Sequence, residues 1–105
     1  MTRALEWRAR IASAQKLSDD ALYGESNRML EQIASELDEP GAADADTYRG
    51  KVFGLLGLNW FRLGDTTEAH RWTERAHEAC ERAGDDFGVT VYGANLSVID
   101  RQVQG

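Results

Sequence analysis

Apolar residues recur along this chain every three or four positions, the period of an amphipathic helix, and turn residues divide them into five stretches. The cleanest stripe is Leu22, Ser26, Met29, Leu30, Ile33, Ala34 and Leu37, which predicts a helix over about 20–38. Pro40 and Gly41 end it, the first by lacking a backbone donor and the second by permitting a turn. Before it, a helix with a diffuse stripe is expected from about Arg3 to Leu17, on Leu5, Trp7, Ile11, Ala12 and Ala14. Ser18, Asp19 and Asp20 read as caps for the helix that follows.

A third helix, about 46–63, carries Tyr48, Val52, Phe53, Leu55, Leu56, Leu58, Trp60, Phe61 and Leu63. It is apolar on more than one face, so it should be packed on both sides or line a groove. Residues 39–46 make an acidic linker in front of it, with Asp44 or Asp46 as its cap. The fourth helix, about 66–83, sets Ala69, Trp72, Ala76, Ala79 and Cys80 against a charged face that includes Glu78 and Arg82 at i,i+4. The fifth follows Gly84-Asp85-Asp86 and runs to about Gln102 on Val89, Tyr92, Ala94, Leu96, Val98 and Ile99. The expectation is an all-α single domain over 1–105.

Composition narrows the functional classes. A net charge of −6 disfavours nucleic acid, whose phosphates need clustered Lys and Arg. No apolar run approaches the roughly 18 residues of a membrane span, and the N-terminus lacks the apolar core of a secretory signal. The single cysteine, Cys80, has no partner for an internal disulfide, which fits a reducing cytoplasm. Charge is segregated: Arg3, Arg8, Arg10 and Lys16 against Glu6 make the first 18 residues basic, whereas 19–46 hold nine acids against Arg28 alone. Two readings of this stay open: mutual attraction of neighbouring helices, or an acidic strip that steers a basic partner.

Between Gly57 and Ala83 the pattern is more specific. Small residues Gly57, Ala69 and Ala76 fall where two antiparallel helices must approach, and Trp60, Leu63 and Trp72 fall where the gap must be filled. Gly64 suits the left-handed end of one helix, and Asp65 and Thr66 can cap the next. Together with Leu63-Gly64-Asp65 and the following Thr67-Glu68-Ala69, these residues resemble the tetratricopeptide repeat, a helical hairpin of about 34 residues that stacks into a right-handed superhelix. The best-kept unit spans 50–83. Val89, Tyr92, Gly93 and Leu96 repeat the spacing of Phe53, Leu56, Gly57 and Trp60, so 86–102 looks like a closing helix without its partner. Ser26, Met29, Leu30 and Ile33 imitate Ala69, Trp72, Thr73 and Ala76, making 3–38 a degenerate earlier hairpin. The stretch from Glu78 to Ile99 also resembles repeats of bacterial regulatory proteins. Thr73 stands where the family has a larger aromatic, and no proline closes the unit. A plain four- or five-helix bundle is the competing architecture.

The resemblance implies a protein-interaction module, with the first helices of successive units lining a concave face. Its groove candidates are Lys51, Gly54, Leu58, Phe61 and Arg62 on the third helix, and Phe87, Thr90, Ala94, Ser97 and Val98 on the fifth. The family's clamp for peptide carboxylates is incomplete, because Leu58 stands where an asparagine is expected. The expected occupant is a helix or peptide of another protein, and the alternative is a self-associating homodimer. A third reading, a metal protein or enzyme using His70 and His77 with Glu74 and Cys80, is weakened because the Ala69–Trp72–Ala76 stripe turns both histidines outward. No nucleophile–base order or phosphate-binding loop is present, so neither catalysis nor a cofactor is expected.

Overall fold

A computed structural model describes residues 3–38 and 45–104, and every element among them is a helix. The helices are α1 (Arg3–Asp19), α2 (Tyr23–Leu37), α3 (Ala45–Arg62), α4 (Thr66–Ala83) and α5 (Asp86–Gln104). The expected all-α class and five-helix count are observed. Residues 39–44, with most of the acidic linker and Asp44, lie outside the described residues.

Boundaries are closest to expectation where the turn has an explicit signal. Gly64 takes the left-handed conformation at φ 87°, and the Asp65 carboxylate accepts from the Glu68 amide at 3.0 Å, capping α4. Asp85 does the same for α5 by accepting from the Gly88 amide at 3.0 Å. The start of α2 differs from the expected one. Helix α1 continues to Asp19, and α2 begins at Tyr23, whose N-cap residue Leu22 makes no side-chain cap. The reversal is made by Ala21 at φ 64°, with the Leu22 amide donating to the Leu17 carbonyl. Ser18, expected as a cap, is buried and serves the core instead. Asp46 lies inside the first turn of α3 and pairs with arginines. Leu63, expected to fill the gap between hairpin helices, lies beyond the end of α3 and is 49% exposed.

Each helix packs on the next, and the odd-numbered helices also touch in order, α1 on α3 and α3 on α5. Among the described residues neither α1 nor α2 contacts α4 or α5. This is an open stack rather than a closed bundle. Helix α3 is its hub, which explains its apolarity on several faces: Val52, Phe53, Leu55 and Leu56 are all buried. Close approach on α4 requires the small residues. A Cβ on Gly57 would collide with the Thr73 hydroxyl, and one on Gly50 would lie 2.9 Å from the Cys80 sulfur. The first hairpin has its own version, in which Ala14 is fully buried and its carbonyl accepts from Ser26 Oγ at 2.8 Å.

Polar side chains then lock the three first helices together. Asn59 of α3, fully buried, accepts from Ser18 Oγ at 2.7 Å and donates to Ser26 Oγ and to Asn27 Oδ1, both at 2.9 Å. A buried amide with this many partners is satisfied in one register only. At the other end of α3, Asp46 accepts from Arg49 at 2.9 Å and from Arg82 of α4 at 3.2 Å, while Arg49 also donates to the carbonyl of Leu37. Desolvation is the largest single influence on Asp46 and raises its pKa. The two guanidinium groups together outweigh it and hold the carboxyl below its ordinary range.

Candidate functional site

The odd-numbered helices enclose a groove of about 690 Å³ whose floor is α3. Helix α1 contributes Arg8, Ile11, Ala12 and Gln15, which lie at successive three- and four-residue steps on one face. Helix α3 contributes Thr47, Tyr48, Lys51, Gly54, Leu55 and Leu58, and α5 adds Val91, Tyr92 and Asn95. The α1 and α3 walls present the same helical spacing to the groove. Adding 43 to each of the four α1 positions gives Lys51, Gly54, Leu55 and Leu58, all of which also line the groove.

Gly54 is the pivot of the site. The Tyr92 ring lies across it so closely that a Cβ there would collide with the phenol. Tyr92 is thereby laid down as a wall between α3 and α5. Burial first, then Cys80 and Asp85, push its phenol above the ordinary range, so it is a neutral donor at physiological pH. On α1, Trp7 packs against Tyr48 with ring centroids 5.6 Å apart, and its indole Nε1 donates to Glu36 at 3.3 Å. Arg10 reaches the same Glu36 at 2.7 Å. Here the charge segregation of the sequence is used as attraction between neighbouring helices, the first of its two readings.

Not all basic residues of α1 are used that way. Arg8 and Lys51 stand at the groove, both exposed, and neither makes an ion pair among the described residues. None of the thirteen lining residues is a carboxylate, although the chain carries 18 acids and a net charge of −6. The groove is therefore an electropositive, partly apolar strip on an acidic protein.

The residues expected to form the binding face divide. Lys51, Gly54 and Leu58 line the groove as expected. Phe61 lines a smaller adjoining cavity of about 110 Å³ with Gly57, Leu58, Thr73, Asn95, Val98 and Ile99. Arg62 turns away, its guanidinium 5.8 Å over the Tyr23 ring of α2. Phe87, Thr90, Ala94 and Ser97 line neither space and are exposed. The physical reason is rotation. Helix α5 shows the groove only its inner side, Val91, Tyr92 and Asn95, and neighbouring positions lie about 100° further round. Arg8, Gln15 and Asn95 were missed, because the diffuse stripe of α1 does not name the face that turns to the groove.

The histidines do not meet. His70 Nε2 lies 3.4 Å from Asp100 of α5, and His77 Nδ1 lies 3.6 Å from Glu81 one turn along. Among the described residues no group of three or more His, Cys, Asp and Glu side chains could hold a metal ion. Cys80 is buried, and desolvation, then the neighbouring Asp85, raises its thiol pKa, the opposite of what a nucleophile needs. No helix among the described residues is long and apolar enough to cross a membrane. No protein-family model, no curated protein and no solved structure matches this chain.

Proposed function

We propose that this chain is a protein-interaction module, a short stack of tetratricopeptide-like hairpins that holds an acidic helical or extended segment of another protein over α3. The observation that carries the reading is the groove: three helices and, among the described residues, two cations without an ion pair and no carboxylate in the lining, on a protein that is otherwise acidic. Leu55, Leu58 and Val91 supply apolar contact for one side of an amphipathic segment. Arg8 and Lys51 complement acids on its flank, and Asn95 and the Tyr92 hydroxyl can meet its polar groups, as can the Gln15 amide oxygen, whose nitrogen donates to Asp19. The sequential packing of α1 to α5 supports the repeat reading. Action as a binding protein rather than an enzyme, in the cytoplasm, belongs to the same proposal. The unpaired, buried Cys80 is compatible with that compartment.

The test is titration of the isotope-labelled protein with two amphipathic peptides of equal hydrophobicity, one acidic and one with its charges reversed. The acidic peptide should bind, with amide shifts concentrated at Arg8, Lys51, Leu58 and Tyr92, and salt should weaken it. Lys51→Glu should weaken it by about tenfold or more, and Leu58→Asp should abolish it with helical content intact. Equal binding of both peptides, or shifts centred elsewhere, overturns the reading.

A further inference from the structure

The outward side of α5 is a second surface, which meets the groove side at Val98, a residue that also lines the small adjoining cavity. Phe87, Thr90, Ala94, Ser97, Val98 and Arg101 are all exposed and share one helix face. Phe87 is 79% exposed. Only Arg101 among the six is charged. The solvent side of α4, by contrast, presents Arg71, Glu74, Glu78, Glu81 and Arg82. The two hydroxyls on the α5 face are already satisfied within their own helix. Thr90 Oγ1 donates to the Asp86 carbonyl at 3.1 Å and Ser97 Oγ to the Gly93 carbonyl at 3.4 Å. Covering this face therefore strands no hydroxyl donor.

Among the described residues α5 touches only α3 and α4, so this face, with the Phe87 ring and the Ala94 methyl set between two hydroxyls and one charge, is left uncovered by them. Its charges also complement each other end to end. Asp86 lies at the start of the face and Arg101 one position from the last of its turns, about 22 Å apart along the axis. Neither makes an ion pair among the described residues, and neighbouring Asp100 is engaged with His70.

We propose that this face pairs with the same face of a second copy, the two α5 helices running antiparallel about a twofold axis at Ala94. That register sets Phe87 against the partner's Arg101, Thr90 against the partner's Val98, and Ala94 against itself. The smallest side chain then sits at the closest approach, and larger ones fill the space where the helices diverge. Asp86 meets the partner's Arg101 twice, once at each end of the contact. A parallel pairing would oppose like charges at both ends. The contact is isologous and closes at two copies.

Sedimentation equilibrium of the full chain over about 5–500 µM, the range a small interface requires, reads the outcome directly. The mass should rise from one copy to two and stop. Phe87→Arg, which sets like charges against the partner's Arg101, should hold it at one copy with the helical circular dichroism unchanged, and Lys51→Glu, in the groove and away from Val98, should leave the dimer intact. Asp86→Arg and Arg101→Asp should each weaken self-association by about tenfold. An equimolar mixture of those two variants should associate again, because each then supplies the charge the other lacks. A monomer throughout, a dimer indifferent to Phe87→Arg, a mass that climbs past two copies, or a mixture that stays monomeric overturns the proposal.

Discussion

Gly57 of α3 faces Thr73 of α4 so closely that a Cβ at position 57 would fall on the threonine hydroxyl, with the Thr73 amide nitrogen 3.1 Å and the Ala69 carbonyl 3.3 Å behind it. Two effects of opposite sign compete at such a site. Alanine is better than glycine inside a helix by about 1 kcal/mol, whereas forcing a methyl group into a packed contact costs about 1–3 kcal/mol. Backbone atoms stand behind the hydroxyl, so the contact cannot relax freely and the clash wins. Gly57→Ala should lower stability in urea denaturation by about 1–2 kcal/mol net. Adding Thr73→Ala should recover part of the loss. Gly24, in the first turn of α2, has nothing within 4 Å of its would-be Cβ. Gly24→Ala should raise stability by about 0.5–1 kcal/mol, and equal effects at the two sites would show that approach of the backbones is not what selects glycine at 57.

The buried amide of Asn59 holds α1, α2 and α3 to one another through Ser18, Ser26 and Asn27. Asn59→Leu has nearly the same volume but strands three buried polar side chains at once, each costing about 1–3 kcal/mol if left without a partner. Ser26 keeps its bond to the Ala14 carbonyl, so the expected loss is nearer about 3 kcal/mol than the full sum. The measurement is the denaturant midpoint at constant slope. A Ser18→Ala, Asn59→Leu double variant should be less destabilised than the two single losses added together, because the pair shares one interaction. Simple additivity would mean the network is not coupled.

How much of this was legible depends on whether a signal was local. The α3–α4 turn carries its own instructions in Gly64 and Asp65, and α4 spans Thr66–Ala83 as its pattern predicts. The α1–α2 turn has no such signal. Ala21 adopts a left-handed conformation that alanine seldom takes, and the Ser18-Asp19-Asp20 run imitates a cap while Ser18 is claimed by Asn59 from 41 residues away. Groove positions on α3 were readable because that helix is covered on all its other sides. On α5, which among the described residues is packed only on α3 and α4, periodicity names the faces without saying which one turns inward. Thr90, Ala94 and Ser97, expected at the groove, lie outside it for that reason.

Acid should weaken the fold at the α2–α3–α4 corner. The folded carboxyl of Asp46 is held below its ordinary range by Arg49 and Arg82, once their pull exceeds the desolvation that opposes it. A depressed folded value means the stabilisation is complete above the unfolded pKa and is lost as pH falls through the folded one. Asp46→Asn should therefore cost about 1 kcal/mol at neutral pH, the scale of a partly exposed ion-pair network. The gap to the wild type should close between about pH 4 and pH 2 and shrink in high salt. A gap that persists unchanged at low pH would assign the loss to hydrogen-bond geometry rather than charge.

Cys80 reports on how α5 stays docked. Its sulfur sits between Gly50 of α3 and Gly88 of α5, where added Cβ atoms would lie 2.9 Å and 2.5 Å from it. Burial, then Asp85, raises the thiol pKa, so the thiolate that reacts with a disulfide reagent is scarce as well as shielded. Labelling at pH 8 should run at least about a hundredfold slower than in the urea-unfolded chain. Among the described residues α4 alone covers most of the inner side of α5, so α5 should detach before the α1–α4 remainder unfolds. The labelling rate should then depend on denaturant with a smaller slope than global unfolding has. Gly88→Ala should accelerate labelling by lifting α5 from the sulfur, and it should do so with less effect on the main urea transition than Gly57→Ala has. A Gly88→Ala variant whose labelling and global stability fall together would mean that α5 is part of one cooperative unit with the rest of the stack.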